Sequence, residues 1–254
     1  MKANISLLRA WALLAAGMFF AATSRAATVE GFETLTLDAT NSIGDASIRT
    51  PNYFSILPTE GTHELLLTTI STVAAHDPGP NQSGTNAASV TSLATFFGIT
   101  AANIRDGTVT GQEGSGFKLS LGPLNVGDVI TFNYDFLTND FFPGGHNDFA
   151  FATLTAGNVL VVADELAPAQ TSTSDGSNPF ALETGYLTYQ ITITTAATYT
   201  LGIGVVDGTT FDTTSALLVD NISVIPFVPE PSAVGLGLAG AVLLIALRSR
   251  FKKA

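Results

Sequence analysis

The stretch Asp128-Val129-Ile130-Thr131-Phe132-Asn133-Tyr134-Asp135-Phe136-Leu137-Thr138 decides how this chain is read. Ile130, Phe132, Tyr134 and Phe136 alternate with Thr131, Asn133 and Asp135. Successive side chains of a strand point to opposite faces, so the segment reads as a strand with one buried and one wet face. The same period recurs at Phe117, Leu119 and Leu121, and at Leu187, Tyr189, Ile191 and Ile193. It resumes after the turn Thr195-Ala196-Ala197 at Tyr199, Leu201, Ile203 and Val205. Half-buried strands need a second layer, and two antiparallel sheets packed face to face supply it. One stretch departs from the pattern. In Ala88 to Ile99, Val90, Leu93 and Phe97 have helical spacing, which predicts one short helix over an end or edge of the sandwich. The expected fold class is an all-β sandwich.

Both ends of the chain read differently from this body. Residues 1–26 carry Lys2 and Arg9, an apolar run from Ala10 to Ala22, and Ser24-Arg25-Ala26. The run is too short for a membrane span and the small-x-small end suits cleavage, so the segment reads as a secretory signal peptide. At the other end, Val228-Pro229-Glu230-Pro231 precedes sixteen uncharged residues, Ser232 to Leu247, and then Arg248, Arg250, Lys252 and Lys253. As a helix the uncharged run covers about 24 Å, a little short of a hydrocarbon core of about 30 Å. It predicts a transmembrane helix over 232–247 with its basic tail held on the cytoplasmic side and the body outside. Pro229 and Pro231 keep the backbone before it extended. The β-sandwich domain is then 27–227.

Removing the ends changes the electrostatics. Of ten cations only Arg49, Arg105 and Lys118 lie in the body, against twenty carboxylates, a net charge of −17 where the whole chain shows −11. A domain this acidic repels nucleic acid and anionic lipid, which excludes both as simple electrostatic partners. There is no cysteine, so no disulfide supports the fold in an oxidising compartment.

The tail resembles the PEP-CTERM sorting signal of Gram-negative bacteria, with its Pro-Glu-Pro triplet, Gly-rich apolar helix and basic end in that order. The resemblance implies recognition by a membrane-embedded exosortase, cleavage near the triplet, and transfer of the body to the envelope, the surface or an exopolysaccharide matrix. A plain C-terminal anchor is the alternative. The body resembles the jelly-roll domains found upstream of such signals, which look like carbohydrate-binding modules. The segments that carry this are Gly31-Phe32-Glu33, Asp128 to Thr138, Asn147-Asp148-Phe149-Ala150-Phe151 and Ser215 to Ile222. The resemblance implies an eight-or-more-stranded sandwich and a structural calcium ion joining its first and last strands.

Parity bears on that ion. Glu33 falls in step with Leu35 and Leu37, and Asp220 with Leu218, Ile222 and Val224, so both carboxylates are expected to point with apolar residues. A buried carboxylate needs a cation or several hydrogen-bond donors. Either Glu33 and Asp220 share Ca²⁺, which takes six to eight oxygens, or each accepts backbone N–H groups at a strand end.

Two loops lack strand character, His76 to Ala87 and Asn139 to Asn147. The second sets Phe141 and Phe142 beside Pro143-Gly144-Gly145, either as a ligand platform or tucked onto the core. Asp140, His146 and Asp148 lie close in sequence, and Asp207-x₄-Asp212 reads as a turn held by Asp side chains. No His-Glu-x-x-His, Gly-x-Ser-x-Gly or phosphate-binding Gly loop occurs, so no catalytic residues are assigned and an enzyme is not expected. Two non-enzymatic readings follow: a structural matrix protein linked to exopolysaccharide or biofilm, or a module binding extracellular polysaccharide.

Overall fold

Alternating apolar positions place the strands of this chain in two antiparallel sheets. The computed structural model describes residues 28–50, 54–72, 82–107, 109–140, 148–157, 159–165, 171–172, 178–209, 211 and 213–227. The body, Ala27–Ile225, is one unit. The signal peptide (1–26), the Val228–Pro231 motif, the span 232–247, the basic tail, and Phe141 with Phe142 lie outside the described residues. Among the described residues no helix is long and apolar enough to cross a membrane.

The first sheet takes β1 (Thr28–Glu30), β3 (Asp45–Arg49), β4 (Glu64–Thr68), β9 (Val129–Thr138), β12 (Thr171–Ser172), β13 (Leu182–Glu183), β14 (Leu187–Thr192) and β16 (Ser215–Ile225). Its order is β12-β13-β9-β16-β4-β3, with β14 also on β9 and β1 also on β16. The second takes β2 (Ser42–Ile43), β5 (Ala88–Ser89), β8 (Glu113–Leu124), β10 (Phe149–Ala156), β11 (Val159–Glu165) and β15 (Ala197–Val206). Its order is β11-β10-β15-β8-β2, with β5 also on β8. A small ribbon, β6 (Arg105–Asp106) with β7 (Val109–Thr110), stands apart from both.

Most connections between the long strands cross from one sheet to the other. β8 to β9, β9 to β10, β14 to β15 and β15 to β16 all change sheets. The turn after Ile193 therefore links two layers. The corner between β2 and β3 turns on Gly44 (φ +78°), where a Cβ would lie 2.5 Å from Ser115 Oγ, so both the conformation and the space demand glycine.

The core lies between the sheets and uses the predicted faces. Ile130, Phe132, Tyr134 and Phe136 meet Leu65, Leu67, Leu217 and Val219 from their own sheet, and Phe117, Leu201, Ile203 and Val205 from the other. Phe32, at φ +62°, swings its ring inward after β1 and packs edge-on against Phe117 at 5.5 Å.

The predicted helix is α1, Val90–Phe97, and it covers the outer face of the second sheet rather than an end or edge. Ser89 caps it through Ser92 N–H (3.3 Å) and Gly98 closes it in the left-handed conformation (φ +71°). Leu93, Ala94 and Phe97 turn onto Phe149, Phe151 and Val206. Phe97 sits where β8 and β15 lack side chains: a Cβ on Gly116 or Gly202 would come within 2.4 Å or 2.6 Å of its ring.

Candidate functional site

The outer face of the first sheet is built differently. Leu218 on β16 lies opposite Leu66 on β4 and opposite Asp135 on β9, while Asp220 lies opposite Asn133. Side chains two apart share a face, so Glu64, Asp135 and Asp220 join Leu66, Leu137, Ala216 and Leu218 outside the sandwich. Phe54, Ile56, Phe180 and Tyr186 pack over this group, with Phe54 and Phe180 edge-to-face at 5.3 Å. All three carboxylates are buried.

Tyr186 projects into the cluster, and its hydroxyl donates to Glu64 Oε2. Glu64 Oε1 is buried with no hydrogen-bond partner. Burial pushes the Glu64 carboxyl up to about 7, against the pull of the Tyr186 hydrogen bond and with help from the charges of Asp220 and Asp135. Burial also raises Asp135 to about 6; the Thr184 hydroxyl (3.1 Å) opposes this and the charge of Glu183 adds to it. Asp220 is raised by burial and held back by its donors, and the Tyr186 phenol is pushed up by burial and then by the Glu64 charge. Near neutral pH Glu64 therefore passes between an O–H donor and an anionic acceptor. Such a group, beside a phenol and aromatic rings, matches neutral hydroxyl-bearing ligands and opposes anions.

The parity expected for Asp220 needs correction. The β9–β16 register shifts between Asp220 and Ser223, and Asn221 stands at φ +52°. This bulge flips the alternation, so Leu218 and Asp220 face outward while Ile222 and Val224 face the core. Glu33 is likewise outside any strand and exposed, although Leu35 and Leu37 do pack against the core.

One segment, Thr59–His63, nevertheless reaches both carboxylates. Asp220 Oδ2 accepts Thr59 Oγ1 (2.8 Å) and Glu60 N (2.7 Å), and its Oδ1 accepts Asn221 N (2.7 Å). Glu33 Oε1 accepts the N–H groups of Thr62 and His63, and its Oε2 accepts Thr62 Oγ1 (2.9 Å) and lies 2.8 Å from His63 Nδ1. The Thr62 backbone bond first, then His63, pulls Glu33 down to about 2. These oxygens face N–H and O–H donors, the opposite of a cation's needs, so the pair as placed does not fit a shared calcium ion. Among the described residues no three His, Asp or Glu side chains gather as metal ligands. Peptide donors here link the residues after the first strand to the last strand, the role the resemblance gives to calcium.

At the far end of the sandwich, Asp148 accepts Ser215 Oγ at Oδ2 (2.7 Å) and Gly208 N at Oδ1 (3.1 Å), and donates its own N–H to Asp140 Oδ2 (3.2 Å). Asp140 and Asp148 thus come together as buried wiring between β9, β10 and β16. Asp207 is buried nearby, where its backbone pairs with Gln112 and Glu113. His146 and Asp212 lie outside the described residues.

Tyr186 and Phe54 are among the aromatic residues that the sequence offers for stacking sugars, whereas Glu64 is a candidate that sequence reading passed over. Its one signal was the unbroken run Leu65-Leu66-Leu67, which marks a strand buried on both faces and so an acid at its edge in need of a partner.

No family model matches this chain, and no curated protein matches it. Solved structures of similar shape include the K1 cleaved adhesin domain of Lys-gingipain from Porphyromonas gingivalis W83 (8% identity, 80% of this chain and 100% of that one, TM-score 0.42). Others are the CBM22-1 xylan-binding domain of Paenibacillus barcinonensis Xyn10C (14%, 79% and 95%, TM-score 0.35) and TmCBM61 in complex with β-1,4-galactotriose (8%, 79% and 88%, TM-score 0.32). Scores this low leave the assignment of an antiparallel β-sandwich resting on the sheets themselves.

Proposed function

We propose that this chain is the precursor of an exported, non-catalytic domain that binds extracellular polysaccharide. On this reading the signal peptide exports it, the 232–247 segment holds it at the membrane, and an exosortase releases it near Pro229-Glu230-Pro231 to the envelope or matrix. The observation that supports binding is the unfilled Glu64 Oε1 in a cluster whose other polar atoms are held by Tyr186, Thr184, Thr59 and Glu60. A sugar hydroxyl supplies the missing partner, and Phe180, buried under Phe54, offers apolar surface for a pyranose face once Phe54 moves aside. On this reading a glycan reaches Glu64 when Phe54 and Ile56 move aside while Thr59 and Glu60 stay on Asp220. The body's charge of −17 favours a neutral polymer over an anionic one.

A ligand-free matrix protein is the second reading, favoured by the burial of that same cluster. Pull-down of the mature body on neutral and acidic polysaccharides separates the two. Saturable binding to a neutral polymer, lost in Glu64→Ala and Tyr186→Phe but kept in Phe97→Leu on the opposite face, is expected. No saturable binding to any polymer leaves the matrix role. Delivery is checked independently by the mass of the released chain, which should end near Pro229-Glu230-Pro231.

A further inference from the structure

The cover over the first sheet reaches Asp220 through Thr59 and Glu60, and the rows beyond it on the outer face reach solvent. Thr188 on β14 lies opposite Asn133 on β9, and Asn133 lies opposite the buried Asp220 on β16. One row on, Gln190 lies opposite Thr131, and Thr131 opposite Ser223. Directly opposed side chains share a face, so five uncharged polar residues stand together on the outside of the sheet. Thr188 and Gln190 are exposed, and Thr131, Asn133 and Ser223 are half-buried.

Hydrogen bonds across the strands hold these groups in one direction. Asn221 Nδ2 donates to Asn133 Oδ1 (3.1 Å), and Asn133 Nδ2 donates to Thr188 Oγ1 (2.9 Å). Thr188 accepts at the end of this relay, so its own O–H is left to donate outward. Thr131 Oγ1 and Ser223 Oγ lie 2.9 Å apart, and whichever donates, the other keeps its hydrogen for a ligand. The Gln190 amide adds a donor and an acceptor. The bulge that turns Asp220 outward also makes the relay: at φ +52° Asn221 is re-aimed across the sheet onto β9, the kind of redirection bulges provide beside functional sites.

We propose that this ladder of Thr188, Gln190, Thr131, Asn133 and Ser223 is a platform for a neutral, hydroxyl-rich polymer chain laid across β14, β9 and β16. The inference rests on the reading of the body as a polysaccharide binder and adds a second surface to the Glu64 cluster. Fixed neutral donors and acceptors pair with hydroxyl groups. An anionic polymer instead meets the body's charge of −17, with no cation in the ladder to receive it. Two rows on three strands offer these groups over roughly 7 by 10 Å. An open surface of that kind holds one sugar weakly and a chain through repeated contacts. Asp135 stands two residues from Asn133 on the same face of β9, so one chain can run from the ladder to the Glu64 cluster.

Binding isotherms of the mature body on immobilised dextran, a neutral β-glucan and alginate test this. Saturable binding to a neutral polymer and none to alginate, equally in low and high salt, is expected of the wild type. Thr188→Val with Gln190→Val, both on an edge strand, should raise the dissociation constant at least fivefold without moving the melting midpoint. Thr91→Val, exposed on α1, should change neither. If the double variant melts lower, Gln190→Glu alone, which keeps the side-chain size, carries the same comparison. Wild-type affinity in these variants, with binding lost in Glu64→Ala, overturns the platform and leaves the cluster as the site. Weakened binding in them while Glu64→Ala binds normally upholds the platform and removes the cluster. No binding to either neutral polymer overturns the glycan reading and this inference together. A dimer broken by the double variant, with polymer binding unchanged, assigns the face to a second copy and overturns the proposal.

Discussion

The two outer faces of this sandwich are closed in contrasting ways. On the second sheet, α1 lays Phe97 into a trough made by Gly116 and Gly202, and Lys118 finishes the cover by donating to Phe96 O (3.0 Å). That face is a packed interior in miniature. On the first sheet, Phe54 to Glu60 lies over Glu64, Asp135 and Asp220, and a buried carboxyl oxygen is left unfilled. Burying polar groups costs stability where apolar groups would contribute it, so the polar face is the one whose chemistry calls for a role beyond folding.

The apolar face should show the largest effect. Phe97→Ala removes a ring from a site whose glycines cannot fill the space, and is expected to cost about 3–5 kcal/mol in urea unfolding of the mature body. A cost below about 1 kcal/mol, the scale of a surface change, would mean that the trough is not closed by this ring and that the contrast between the faces is false.

The acidic face should respond to pH instead. With Glu64 at about 7 when folded against 4.5 unfolded, the folded state holds the proton more tightly. Stability is then full below about 4.5 and falls as pH rises through 7, by on the order of 3 kcal/mol from this group. Asp135, raised to about 6, adds a loss of the same sign across about 4 to 6. Glu64→Gln keeps a neutral side chain at every pH. Its unfolding free energy should match wild type near pH 4 and exceed it at pH 8. Equal stability at both pH values would place Glu64 in a wetter setting than the structure gives it.

The strands and core were legible because a period of two survives in any sequence whose strands have one wet face. Phe117, Phe132 and Ile203 stand where alternation puts them. Alternation failed where the backbone breaks it: the bulge at Asp220–Asn221 is one residue of extra chain, and it exchanges inside for outside without a mark in the apolar pattern. The helix was visible by spacing, but its seat depends on glycines in β8 and β15 some distance away in sequence. The cluster of Glu64 with Tyr186 joins residues 122 apart, a pairing that no local pattern encodes.

Acid conditions probe the rim of the same face, where Glu33 is exposed. Its pKa is lowered to about 2, so the stability it contributes is present above about 4.5 and is lost as pH falls toward 2, the reverse of Glu64. Glu33→Gln should flatten the acid limb of a stability–pH profile and leave the region above pH 6 nearly unchanged. Opposite slopes from the two glutamates would show burial setting the titration of Glu64 and hydrogen-bond supply setting that of Glu33.

The smallest expected effect is that of calcium. Thr59 to His63 supply hydroxyl and peptide donors to the oxygens of Glu33 and Asp220, and a cation would have to displace all of them to use those carboxylates. Melting midpoints of the mature body should therefore agree in calcium and in chelator. Asp220→Asn, which retains an acceptor oxygen for Glu60 N, should melt alike in both. A calcium-dependent rise in wild type that Asp220→Asn abolishes would reverse this, because it would mean that the carboxylates exchange peptide donors for an ion. The outer face of the first sheet would then be organised by metal, and its unfilled Glu64 oxygen would be a neighbour of that ion rather than an opening for a sugar hydroxyl.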